Sequence, residues 1–191
     1  MQNIYEYLHT LPDNTEILDL SKRELTELPD ISRFRNLRNL NVNYNKLKTL
    51  PDLSYFPNLR ILSASSNHLV SLPNLSNLLH LQEINVFRNN LTHLPSLSYL
   101  IYLRRLSCGY NELTILPELK ELKSLMYLSC PINKLTRLPK LPPNLKHLNC
   151  SVNYLRELPE IPPVLFELIC FGNNIEKLPE FTHQLQKLQY K

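Results

Sequence analysis

Glycine is nearly absent: Gly109 and Gly172 are the only two in 191 residues. A GxGxxG fingerprint, a phosphate-cradling loop and a GxSxG elbow all need closely spaced glycines, so three enzyme classes are excluded at the outset. No apolar run approaches the length of about 18 residues that spans a bilayer, so membrane insertion is not expected. Met1–Thr10 shows no basic stretch followed by an apolar one, and an ordinary secretory leader is not expected there. A large charge excess is missing too. The net charge of +4 and pI near 8.8 are mild, and nucleic acid is not an expected partner. What is abundant is proline, with 15 residues, and hydrophobic side chains at 43%, enough for a continuous core.

A repeat organises these residues. The segment Leu37–Leu47 reads LxxLxVxxNxL, and the same frame restarts at Thr15, Leu37, Leu59, Leu81, Leu103, Leu125, Leu145 and Leu165, with a truncated ninth copy at Leu185. The first five steps are 22 residues and the next three are 20. Counting from each start, position 9 is asparagine in seven of the eight full copies (Asn45, Asn67, Asn89, Asn111, Asn133, Asn153, Asn173), with Arg23 the exception. Position 15 is proline in all eight, from Pro29 to Pro179, and leucine always precedes it.

The spacing dictates the shape of one unit. Apolar positions 4 and 6 alternate with polar neighbours, which marks a short strand with one buried face. Proline at position 15 removes a backbone donor and fixes φ, suiting a return segment rather than a ladder strand. One unit cannot bury its own apolar side chains, so the units must stack. In the long copies the return carries apolar pairs three apart, such as Ile31/Phe34 and Leu119/Leu122, the spacing of a single helical or 3₁₀ turn facing inward. The short copies have Leu141-Pro142-Pro143 and Ile161-Pro162-Pro163 instead, and these are expected to be polyproline-like, with a thinner convex side beyond Ser124.

The expected fold is therefore an α/β solenoid with a parallel sheet on its concave face. Residues 1–14 precede the array of residues 15–191. There Ile4, Leu8 and Leu11 share one helical face, so a short helical cap over the first repeat is expected; a disordered leader is the alternative. Past Leu185–Tyr190 the sequence stops at Lys191 with an open strand edge, to be met either by further chain or by self-association.

The units running from Leu138-Pro139-Lys140-Leu141-Pro142-Pro143 and from Leu158-Pro159-Glu160-Ile161-Pro162-Pro163 resemble bacterial-type leucine-rich repeats of the LPX subtype. These are similar to the repeats of effectors that pathogenic bacteria inject into host cells. The resemblance covers residues 15 to 190. It implies a right-handed coil, a protein partner in the host, and delivery into the host cytosol by a specialised secretion system, with the cytoplasm as the alternative location. Some effectors of this type carry a ubiquitin-ligase domain after the repeats, so the alternative function is substrate recognition for a larger enzyme.

Few residues offer chemistry. Cys108, Cys130, Cys150 and Cys170 all occupy position 6 of consecutive units, in place of Leu20, Val42, Ala64 and Val86. Thiols on one face of a parallel ladder point the same way and cannot converge tetrahedrally on zinc, so they are read as small, reduced core hydrophobes and no metal is expected. Disulfides are disfavoured because neighbouring parallel side chains lie too far apart. His147 and Cys150 fall on opposite faces of one strand, which disfavours a Cys–His dyad. The asparagine column is assigned to backbone satisfaction rather than to an active groove. No catalytic residue, cofactor or small-molecule substrate is expected.

Binding remains. Positions 3, 5, 7 and 8 should project from the open sheet face, and they vary while the frame does not. Tyr44, Asn85, Phe87, Arg88, Arg105, Tyr110, Tyr127, Ile132 and Phe171 are the candidate partner-binding residues, with Phe87, Arg88, Arg105, Tyr110 and Tyr127 at the centre. Charge is ordered as well. Position 2 carries Arg38, Arg60, Arg104 and Lys146, and position 16 carries Asp30, Asp52, Glu118, Glu160 and Glu180, so one flank should be basic and another acidic.

Overall fold

The computed structural model describes residues 3–179 and 185–190. Each unit contributes one three-residue strand. These are β1 Ile17–Asp19, β2 Asn39–Asn41, β3 Ile61–Ser63, β4 Glu83–Asn85, β5 Arg105–Ser107, β6 Tyr127–Ser129, β7 His147–Asn149, β8 Glu167–Ile169 and β9 Lys187–Gln189. They form one parallel sheet in strict sequence order. The register follows the repeat, so that Leu40 lies beside Leu62 and Leu106 beside Leu128. The chain is a solenoid because every unit can satisfy its strand only on the strands before and after it.

The alternating pattern explains which way each strand faces. The middle residue of β1 to β8 is buried and so is the residue after the strand, giving the inward rows Leu18–Leu168 and Leu20–Cys170. A single hydrophobic core runs along the array beneath the sheet. Burying a leucine fully is worth about 1.5–3 kcal/mol, so stability comes from many equal contributions rather than one centre.

The asparagine column stitches the units together. Asn111 Nδ2 donates to the carbonyls of Val86, Cys108 and Gly109, while its Oδ1 accepts the Leu91 N–H at 2.9 Å. Asn67, Asn89, Asn133, Asn153 and Asn173 repeat the pattern one unit at a time. In the first unit, where Arg23 replaces the asparagine, Asn45 Oδ1 accepts both the Arg23 and Leu25 N–H groups. Buried backbone groups that no sheet could reach are thereby paired.

The convex side differs between long and short units. In each long unit two turns follow one another, as in Leu122 N to Leu119 O at 3.0 Å and Leu125 N to Leu122 O at 2.8 Å, and both apolar residues are buried. These are single i+3→i turns. The polyproline-like stretch expected in the short units ends sooner than the sequence suggests: Leu145 N bonds Pro142 O at 3.2 Å and Leu165 N bonds Pro162 O at 2.9 Å. Pro143 and Pro163 take the second place of those turns, where a φ near −65° is favoured. Leu141 and Ile161 are buried with the adjacent Pro142 and Pro162.

At the start of the chain α1, Ile4–Thr10, buries Leu8 and packs Ile4, Tyr7 and Leu11 against the core. Arg33 holds it, donating to the Leu8 and Leu11 carbonyls at 2.6 and 3.0 Å and pairing with Asp13. Glu180, His183 and Lys191 lie outside the described residues. Among the described residues no helix is long and apolar enough to cross a membrane.

Candidate functional site

The open face of the sheet takes one residue before and one after each buried strand centre. Five of the nine candidates are exposed, Tyr44, Arg88, Arg105, Tyr110 and Phe171, and the other four, Asn85, Phe87, Tyr127 and Ile132, are half-buried. Position 7 projects less evenly than the strand period suggests, since Ser65, Gly109, Pro131 and Ser151 are buried there. Phe87 and Phe171 are the large side chains of that row.

The central candidates form two contacts rather than one cluster. The Phe87 and Tyr110 rings lie 4.8 Å apart at 54°, a tilted packing. The Arg105 guanidinium sits over the Tyr127 ring, 4.8 Å from its centre. Arg88 joins neither by a ring contact or ion pair. Asn85 turns its Oδ1 to the Phe87 N–H at 3.2 Å, which fixes the backbone that carries the ring. Tyr44 stands towards the N-terminal end under Lys22, and Ile132 and Phe171 stand on later turns.

Two features of the site do not follow from the column pattern alone. Tyr127 is followed by His147 at 6.0 Å and His147 by Phe166 at 5.7 Å, extending the aromatic line by two units. His147 Nδ1 lies 3.1 Å from Glu167 Oε2, and Lys187 pairs with the other oxygen of that carboxylate. Hydrogen bonds from Lys187 and then His147 hold the Glu167 carboxyl below its ordinary value. Column order made the charged trio readable, since His147, Glu167 and Lys187 all occupy position 3.

The second is at position 8, where the backbone is left-handed in unit after unit: Tyr44, Ser66, Arg88, Tyr110, Ile132 and Val152 all have φ of 53–58°. Only Gly172 meets that requirement without a side chain. Tyr44, Arg88, Tyr110 and Ile132 therefore reach the open face from a bend that disfavours side chains.

The cysteine column faces inward, as its place at position 6 implies. All four are buried free thiols. Burial pushes the Cys108 thiol up to about 12 and Cys170 up to about 11, and drives Cys130 and Cys150 higher still than their ordinary value. A nucleophilic cysteine needs the opposite shift. His147 is on the open face and Cys150 beneath it, so the strand separates them. Among the described residues no His, Cys, Asp or Glu group is arranged to hold a metal ion.

No protein-family model and no curated protein matches the chain. Solved structures do. YopM from Yersinia enterocolitica superposes with a TM-score of 0.87 and 37% identity over 95% of this chain and 38% of that one. The functional domain of InlJ from Listeria monocytogenes, which includes a cysteine ladder, gives 0.84 and 31% over 93% of this chain and 40% of that one. A Shigella effector leucine-rich-repeat domain gives 0.64 and 30% over 92% and 66%. The chain thus spans about two fifths of the first two proteins. The proline-marked frame, the asparagine column and these likenesses agree: the chain is a bacterial-type leucine-rich-repeat protein.

Proposed function

We propose that this chain is a non-enzymatic module that binds a host protein on its concave face, and that it reaches the host cytosol through a specialised bacterial secretion system. The observation that carries the reading is the presence of both the Phe87–Tyr110 pair and the separate Arg105–Tyr127 stack, large rings held on an open sheet face with no core to fill. Rigid aromatic and arginine anchors are what protein interfaces use most. The likeness to an effector repeat domain from Shigella supports the host setting. The buried, high-pKa thiols offer no nucleophile, which favours binding over catalysis by these residues; the alternative, substrate recognition for a larger enzyme, would use the same open face.

Affinity capture from host-cell lysate tests this, comparing the chain with its Phe87→Ala/Tyr110→Ala variant. Capture of one partner by the parent and its loss in the variant, with superimposable circular dichroism, is the expected result. Equal capture by both overturns the site.

A further inference from the structure

Just before each strand, position 2 forms a second row along the flank of the concave face. Its backbone runs as a continuous ladder: Gln82 N to Arg60 O at 2.8 Å, Arg104 N to Gln82 O at 2.8 Å, Met126 N to Arg104 O at 3.0 Å, Lys146 N to Met126 O at 2.9 Å and Phe166 N to Lys146 O at 2.8 Å. The cations therefore fall on every second step. With strands about 4.8 Å apart, Arg60, Arg104 and Lys146 follow one another at intervals of about 9.6 Å.

All three are exposed, and among the described residues none has an ion-pair partner. Other cations do find carboxylates. Arg38, in the same row, pairs with Glu16 at 3.3 Å, and on the far flank Lys46 pairs with Glu24 and Lys134 with Glu112. Gln82 stands between Arg60 and Arg104, Met126 (36% exposed) between Arg104 and Lys146, and Phe166 (44% exposed) directly after Lys146. The row thus alternates charge and apolar surface from Arg104 onward.

We infer that this row docks an extended acidic segment of the protein partner, one with carboxylates three residues apart in a polyproline II-like conformation. That helix has three residues per turn and a rise of about 3.1 Å, so every third side chain returns to the same face after about 9.3 Å. The match to the cation spacing holds over all three cations. A flat strand fits less well, because its same-face side chains recur at about 6.6 Å. The remaining residues of such a segment, prolines included, would lie against Met126 and Phe166, as extended proline-rich segments do on apolar and aromatic grooves. The inference rests on the concave-face reading above.

The test is fluorescence anisotropy with the full chain and a labelled Glu-Pro-Pro repeat peptide of about fifteen residues, beside its Gln-Pro-Pro counterpart. The glutamate peptide should bind about tenfold more tightly than the glutamine one, with an affinity that falls as salt rises. Arg104→Glu/Lys146→Glu should cost about tenfold, and Arg104→Gln/Lys146→Gln about half that on a logarithmic scale, while Arg156→Glu on the other flank changes nothing. Equal binding of both peptides, insensitivity to the charge reversals, or tighter binding of an oligothymidylate of similar length would each overturn the inference. Its failure is distinct from failure of the concave site, which is read by protein capture with the Phe87→Ala/Tyr110→Ala variant.

Discussion

Gly109 lies directly against Pro131 of the next unit: a Cβ on Gly109 would sit 2.7 Å from Pro131 Cδ and 2.8 Å from Cγ. The proline ring is rigid, so nothing at that contact can yield cheaply. Gly109 is a packing requirement between neighbouring turns.

Gly109→Ala should therefore destabilise by about 1–3 kcal/mol, the usual cost of an overpacked contact. Urea denaturation measures it. Adding Pro131→Ser, the residue type found at position 7 in Ser65 and Ser151, should return most of the loss. A double variant as weak as the single one would reject the steric account.

Asn111 answers to four backbone groups across two units. Asn111→Ala should cost about 1–3 kcal/mol, because the buried Leu91 N–H loses its acceptor. Hydrogen exchange at Leu91 should quicken together with the fall in stability. Partner capture should not change, since the amide is beneath the open face. An unaffected unfolding midpoint would contradict the assignment of the column to backbone satisfaction.

The frame itself was legible because leucine, asparagine and proline recur at fixed positions whose physical roles do not overlap. Burial at Leu40 and Leu106 follows from strand alternation, and the inward Asn111 follows from the bend. Position 7 was less legible: whether a side chain there projects depends on its neighbour one unit on, as Gly109 and Pro131 show, and periodicity does not encode that. The left-handed bend at position 8 was hidden because tyrosine, arginine, isoleucine and valine occupy it where glycine would have announced it. The Tyr127–His147–Phe166 line was hidden for a related reason, since it crosses from position 3 to position 2. The sequence columns separate what space joins.

The thiols predict a pH response. Folding raises the Cys108 pKa from 9.0 to about 12 and the Cys170 pKa to about 11, so the folded chain holds these protons more tightly than the unfolded one. Stability from this source is complete below pH 9 and declines above it, as the unfolded thiols ionise first, until the folded values are reached. Urea midpoints should accordingly fall from pH 9 upward, and a Cys108→Ala/Cys170→Ala variant should show a shallower fall. Aromatic disulfide reagents should modify the native thiols only at the rate of unfolding. Rapid modification of a folded sample at neutral pH would contradict the buried column.

Ile132 carries the sharpest conflict between stability and surface. Its φ of 53° is a conformation that β-branched residues rarely adopt, and it costs an L-residue about 1–2 kcal/mol. Glycine removes that cost and adds about 0.5–1 kcal/mol of backbone entropy loss. Ile132→Gly should thus leave stability nearly unchanged, because the net relief of about 0.5–1 kcal/mol is offset by a loss of about 1 kcal/mol from the half-buried hydrophobic side chain, and it should weaken partner capture at the same time. Side chains at strained positions persist where the surrounding structure over-determines them and the surface needs them. A lower urea midpoint in Ile132→Gly, with capture unchanged, would mean that the isoleucine is there for its contacts with the array and not for what binds outside it.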